Sequence, residues 1–523
     1  MTDTIDASKR VNALYRGISA IERAGNRLPH PFWLFWIMAG VIAVLSFTLS
    51  QLGVSVTLPD SSEVVEVKNL LSLDGISFAA QTAMDNFAEF PPVAIVIGMI
   101  LGVSIAEASG LMSSLLRATV VKMPARWVTF GIAFGSMIAH AMGDSSYMVM
   151  IPLGALAFRA VGRSPVLGIL VAFVSVSASF NASPLVTPSA AIRASLTTAA
   201  AQTVDSTYVV TPVSTFFYSA VASVLLAIVI TLVVELFLAK RPEFMQWPSS
   251  GDSLPADGLA AEGETTGKKV ALTRTERRGL TWSGIVFAIY VMAVAAILLI
   301  PNSPLQGAGG SIVGSVVVLD IAAFIALLFA VVGYTYGRIT GSISGLGTVP
   351  KIMANGIIPV APVIVLFFAA AQFLAYFEWT GLGSVITVEG ANLLQKLDAP
   401  DLVVLIIVIT AIAILNLMIS SGTAMWSILA PILVPMMMYI GQNPEATLAA
   451  FMIGDSATGP VTPMNAYFVL AVGYIQQYRK SAGIGTVISF ALPLSFAILI
   501  AWSALFALWY LLGVPLGPGG YLY

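Results

Sequence analysis

The chain has 523 residues, of which 58% are hydrophobic and only 10% charged, too little polar surface for a soluble globule of that size; it reads as an all-α integral membrane protein set in a lipid bilayer. A formal net charge of −2 leaves no broad basic face and excludes a nucleic-acid partner. With no cysteine, and only His30 and His140 as imidazoles, neither a disulfide frame nor a thiolate metal site can form, and no cofactor is expected.

Residues 1–31 form a basic, amphipathic lead-in carrying Lys9, Arg10, Arg16, Arg23 and Arg27, which places the N-terminus in the cytoplasm. Phe32–Leu52 is long enough to cross ~30 Å of hydrocarbon, and the polar, acidic stretch Gly53–Asn86 suits the outer face. Phe90–Leu111 returns to Arg117, Lys122 and Arg126. The next apolar run, 127–158, is too long for one crossing, is broken near Gly143–Ser146, and meets Arg159 and Arg163 at its far end. Basic flanks at both ends predict a re-entrant hairpin opening to the cytoplasm. Val166–Ala200, interrupted over Asn181–Pro188, crosses outward, and Phe216–Leu238 comes back to Lys240 and Arg241, completing a first transmembrane half at 32–239.

Residues 240–280 read as a polar cytoplasmic linker, partly disordered, and 281–338 as scaffold helices. The second half, 339–515, begins at Ile357–Phe377. Its over-long run 403–439 is broken at Ser420–Thr423, and its far connection, Gly441–Glu445, lacks Lys and Arg, so this hairpin opens outside. Leu448–Ala471, broken at Gly454–Pro463, runs inward; Ile484–Leu511 exits, leaving the tail 516–523 and the C-terminus outside. The total is about nine transmembrane helices plus two re-entrant hairpins entering from opposite faces.

The two halves echo each other. Gly143, Pro152, Gly162 and Pro165 recur at an offset of 279 as Gly422, Pro431, Gly441 and Pro444, and Val186-Thr187-Pro188 returns as Val461-Thr462-Pro463. Pro91, Glu107, Gly110 and Leu111 recur at an offset of 271 as Pro362, Glu378, Gly381 and Leu382. Combined with orientations read independently from Lys and Arg, this predicts an inverted repeat, and paired interrupted segments in two halves point to the midplane site of a secondary transporter.

At the hairpin tips and helix breaks, freed backbone amides favour anions and freed carbonyls favour Na⁺ or a protonated group. Ser145, Ser146, Ser420, Ser421, Gly422 and Thr423 lie at the tips. Asn181, Ser183, Thr187, Asp455, Thr458, Thr462 and Asn465 lie at the breaks; helix capping is the rival role for such residues. A carboxylate at the bilayer centre costs ~2.5 to 3.5 kcal/mol by insertion scales, so Asp144 and Asp455 are candidates for ion or proton coupling, with Thr187, Thr458 and Thr462 as further oxygen donors and Na⁺ as the one ion in view. No Lys or Arg lies within either break. Trp426, one turn past the second tip, is placed to stack on an aromatic solute, or else is packed core. A channel, and a hydrolase around His140, Asp144 and Ser145, are the alternatives; the first lacks a continuous charged ring and the second any G-x-S-x-G frame.

The segments SSGTAMWSILAPILVPM, AAFMIGDSATGPVTPMNAYF and KSAGIGTVISFALPLS, with ERAGNRLPHPFWLF and DSSYMVMIPLGAL upstream, resemble the AbgT family of p-aminobenzoyl-glutamate transporters over most of the chain. The resemblance implies a homodimer with two re-entrant hairpins in inverted repeats, and it carries the family's functional motif onto Thr423, Trp426, Pro444, Asp455 and Pro463. The chain departs from the pattern at Met425 and Met452, where the family has Lys and Arg, at Asn465-Ala466, where it has Asn-Pro, and at Ala190 and Ala191, where no Asp follows the first break. The expected function is secondary active transport, in the cell inner membrane, of p-aminobenzoyl-glutamate or a related small aromatic or organic acid, or export of sulfonamide-like compounds, coupled to the proton motive force or Na⁺.

Overall fold

A computed structural model describes residues 31–57, 64–120, 124–241, 272–300, 303–307, 310–312, 315–396, 399–419, 421–462, 465–480 and 482–523. Most of the lead-in and of the linker, and the candidate site residues Ser420 and Pro463, lie outside them.

The first apolar run forms α1 (Pro31–Gln51). A short antiparallel pair, β1 (Ser55–Thr57) and β2 (Val64–Glu66), follows, then α2 (Leu73–Ala88) and α3 (Pro91–Ser109). Helix α2 falls within the stretch read as a polar outer connection. Its Asp74, Gln81, Asp85 and Asn86 hide it from a search for apolar runs, while Ser72 starts it by accepting from the Gly75 amide at 3.1 Å.

After α4 (Leu111–Val120), the first over-long run divides into α5 (Val128–Ala139), a 3₁₀ turn His140–Met142, and α6 (Ser145–Ala160). Gly143 makes the reversal at φ 55°, a conformation other residues avoid. The chain doubles back: Arg163, just past α6, donates to Thr129 at the start of α5 at 3.2 Å and pairs with Glu235 at 2.8 Å. Helices α7 (Pro165–Ala178) and α8 (Pro188–Ala201) are the two pieces of the interrupted crossing, and α9 (Phe216–Val233) closes the half.

The connecting region holds α10 (Arg274–Leu299), started by a Thr273/Glu276 capping box, and α11 (Ile321–Thr340). The second half runs through α12 (Val349–Ile357), α13 (Ala361–Trp379), α14 (Leu382–Lys396), α15 (Asp401–Asn416), α16 (Gly422–Tyr439), α17 (Pro444–Thr458), α18 (Ala466–Tyr478) and α19 (Ile484–Leu512). The second over-long run also folds back, Gln442 donating to Asp401 at 3.0 Å.

Eight spans among the described residues are long and apolar enough to cross a membrane, and α7 and α15 are apolar but shorter. The chain is therefore an all-α, multi-pass membrane protein. Burial sorts the helices. Every residue of α7 is buried, as is every residue of α17 but the last; an apolar helix covered on all sides is core. These two begin at Pro165 and Pro444, the positions paired by the internal repeat. Helix α10 leaves most of its apolar side chains on the surface, the pattern of a lipid-facing helix. Close approach of α6 and α7 needs Gly154 and Gly168, each of which would drive a Cβ into the other's carbonyl.

Candidate functional site

The two fully buried helices, α7 and α17, end side by side, and polar residues gather where they stop. The Asn181 amide donates to the Asp455 carboxylate at 2.9 Å and to the Met452 carbonyl at 3.3 Å, and its backbone N–H donates to Ser456 Oγ at 3.2 Å. Asn416, the last residue of α15, donates to the Asp455 carbonyl and to Thr458 Oγ1 at 3.0 Å; the Thr462 hydroxyl donates back to the Asn416 carbonyl at 3.2 Å. These bonds satisfy backbone groups that the helix ends leave open.

Asp455 does not sit on unwound backbone as expected from the sequence. Helix α17 continues to Thr458, so Asp455 lies in its last turn. A carboxylate there opposes the negative end of its own helix dipole. Two neighbours offset this. The N-terminus of α16 faces it so closely that a Cβ on Gly422 would come within 2.6 Å of Asp455 Oδ2, and Arg193 of α8 lies within electrostatic reach. The guanidinium of Arg193, 2% exposed, lies 5.6 Å from the Phe180 ring centroid. Although the breaks themselves hold no cation, α8 supplies one from beyond the first break.

Beside this cluster is a cavity of about 510 Å³. Its walls are the first hairpin tip (Met142–Ser145), Thr423 of the second tip, Phe180, Pro188 and Ser189 of the first break, and α3 with Val103, Ser104 and Glu107. The Ser145 hydroxyl donates to Glu107. Asp144 caps no helix with its side chain; the Tyr467 hydroxyl of α18 lies close to it. That ring stacks on Tyr147 at 4.1 Å and 7°, and Ser177 bridges the Tyr147 hydroxyl (3.1 Å) and the Asn465 amide (3.0 Å). The first hairpin is thereby tied to the second break.

The remaining predicted residues divide by role. Ser183 and Thr187 line a smaller cavity of about 30 Å³ with Asn181, Arg193 and Met452. Thr187, Ser421 and Asn465 also cap α8, α16 and α18 through bonds from Ala190, Ala424 and Tyr467 amides. Ser146 is buried, its hydroxyl unpartnered among the described residues. Trp426 lines neither cavity: it is fully buried, donates to Thr197 at 3.0 Å and packs on Phe451 at 4.5 Å, so it locks α16 onto α8 and α17. Pro444 opens α17 at the end remote from Asp455, about 16 Å away at 1.5 Å per residue.

Sequence reasoning did not single out Arg193, Asn416, Phe180, Tyr147 or Tyr467, and placed Glu107 only in the repeat. Arg193 carried a usable signal, being the one charged residue between Arg163 and Asp205.

Residues 16–523 match the AbgT putative transporter family. The p-aminobenzoyl-glutamate transport protein of Escherichia coli K12 is 31% identical over 519 residues, spanning 99% of this chain and 98% of that one. Among solved structures, the YdaH transporter of Alcanivorax borkumensis superposes with a TM-score of 0.85 at 33% identity, covering 94% of this chain and all of that one. MtrF of Neisseria gonorrhoeae, described as illuminating a class of antimetabolite efflux pumps, gives 0.89 at 35%, covering 96% and 99%.

Proposed function

The chain belongs to the AbgT family of transporters, and from that premise we propose that it moves p-aminobenzoyl-glutamate or a related small aromatic acid across the cell inner membrane by secondary active transport. The observation that carries this is the cavity of about 510 Å³, walled by both hairpin tips and the first helix break and adjoining the buried Asp455 cluster. Its size is that of a pocket for a small organic molecule. The family's tie to p-aminobenzoyl-glutamate comes from the named Escherichia coli relative, and an export role for antimetabolites from the Neisseria one.

Coupling is assigned to the proton motive force or to Na⁺, acting at Asp455 and Asp144 with the oxygens of Thr187, Thr458 and Thr462 nearby. The working unit is a homodimer with a cytoplasmic N-terminus and an external C-terminus. Two mirror-oriented repeats are supported by the cavities as well as by Gly and Pro. Ile100, Val103, Ser104 and Glu107 line the large cavity; at the repeat offset of 271 they fall on Ala371, Leu374, Ala375 and Glu378, which line a second cavity of about 300 Å³. The same face of α3 and of α13 thus borders a cavity, as expected of two repeats that alternate in access.

Purified protein in proteoliposomes, supplied with labelled p-aminobenzoyl-glutamate and either a pH or a Na⁺ gradient, tests the reading. Uptake or efflux that follows one gradient and stops when a protonophore or Na⁺ ionophore collapses it is the expected result. Movement of no aromatic acid under either gradient, in either direction, overturns it.

A further inference from the structure

We propose that Arg193 is the residue that recognises the anionic group of the transported solute, giving the site a preference for carboxylates over neutral analogues. This deepens the transport reading above and rests on it for the solute class. Arg193 is 2% exposed, yet its Nη1 has no hydrogen-bond partner among the described residues. A buried guanidinium keeps its charge and carries five donors in a planar fork, so an open donor is a cost that an arriving acceptor removes. Asp455 reaches it electrostatically but leaves that donor unfilled, its own Oδ2 being taken by Asn181. The group still missing is an oxygen anion from outside the chain, and a carboxylate matches the fork.

The surroundings fit such a guest. Arg193 lines the cavity of about 30 Å³ together with Asn181, Ser183, Thr187 and Met452, space for a water or for the flat head of a carboxylate. Its chain neighbour Ile192 and the Phe180 ring beside its guanidinium both line the large cavity. The two spaces therefore adjoin at Phe180, Ile192 and Arg193, so a solute with its aromatic body in the larger brings its carboxylate towards the guanidinium. Met452 faces the small cavity from α17, so a cation moved there should serve the same guest.

Equilibrium binding to the full-length purified protein separates this proposal from the transport reading. The probes are p-aminobenzoyl-glutamate and its diamide, in which both carboxylates are neutral. The wild type should bind the acid at least tenfold more tightly. Arg193→Met should abolish that preference while leaving diamide binding within about twofold, and the double variant Arg193→Met/Met452→Arg should regain part of it. If Arg193→Met does not fold, Arg193→Lys serves as the readout, weakening the acid severalfold and not the diamide because the fork is lost. The proposal is overturned if the wild type binds acid and diamide alike or binds neither, or if Arg193 variants weaken both probes equally. In that last case Arg193 serves only as counter-charge to Asp455. Binding that behaves as expected without gradient-driven movement would sink the transport reading and leave Arg193 standing.

Discussion

The Asn181 amide and the Asp455 carboxylate, 274 residues apart in sequence, are joined at 2.9 Å where the two interrupted helices of the opposite halves end. A hydrogen bond to a charged group contributes about 1.5 to 3 kcal/mol, and leaving such a partner buried and unsatisfied costs as much. Asn181→Ala should therefore lower the transport rate by one to two orders of magnitude. Asn181→Asp, which sets a second carboxylate against the first, should also lower the melting temperature. Initial rates in proteoliposomes and thermal unfolding in detergent check both.

Asp455→Asn should abolish gradient-driven transport while the protein still elutes as a single folded species. Gly422→Ala gives a sharper test, because Ala is the better helix former and yet its Cβ would displace the carboxylate it faces. A folded protein with transport cut at least tenfold is expected. Unchanged transport by Gly422→Ala would mean that the second hairpin tip and Asp455 need not touch during the cycle.

Much of this arrangement was legible from residue order alone. Both folded-back runs are marked by their length and by a polar break inside them, the first also by basic residues at both ends, and α7 and α17 by paired Pro residues. The sequence places the second break too early because Gly454 resembles a helix breaker. In the structure it stays helical and serves close packing, since a side chain there would come within 2.6 Å of the Ile409 carbonyl. Asn416 was hidden in an apolar run; its polar partners lie some 40 residues onward and meet it only through tertiary folding. Nearness to a tip likewise could not say which way Trp426 points. Trp426 shares a helix face with Thr423 but lies a turn further along, level with Thr197 and Phe451.

Trp426→Phe should accordingly act on stability. It keeps the contact with Phe451 but loses the bond to Thr197, a loss of about 1 kcal/mol, and Trp426→Ala should cost about 3 to 5 kcal/mol by opening a cavity. A lower melting temperature with KM unchanged for Trp426→Phe is the expected outcome. A raised KM at undiminished stability would return Trp426 to the solute.

At the first tip, Tyr467→Phe removes the hydroxyl that lies close to Asp144 but preserves the stack on Tyr147. Ser145→Ala releases Glu107. Both variants should fold normally and shift the ion or proton dependence of transport, by one of the two routes through which the large cavity's carboxylates are held. Glu107→Gln, which removes a charge from the same wall, should shift it further; gradient titrations of the three variants compare them directly.

The folding-back of both over-long runs predicts where their ends meet water. Arg163 reaches Thr129, and Gln442 reaches Asp401, so each run finishes at the level where it began. The chain has no cysteine, and single substitutions can report this without background. Arg126 and Ala160 are exposed at the two ends of the first hairpin, as Lys396 is beside the second, with Asn443 partly so. Arg126→Cys and Ala160→Cys should react with a membrane-impermeant maleimide only from the cytoplasmic side, given the basic residues around them. Lys396→Cys and Asn443→Cys should react only from the opposite side, near a connection without Lys or Arg. Reaction of the two ends of one hairpin from different sides would make that segment a crossing. Its tip would then lie on a through-path, and mirror-oriented repeats meeting at a shared site could no longer describe the protein.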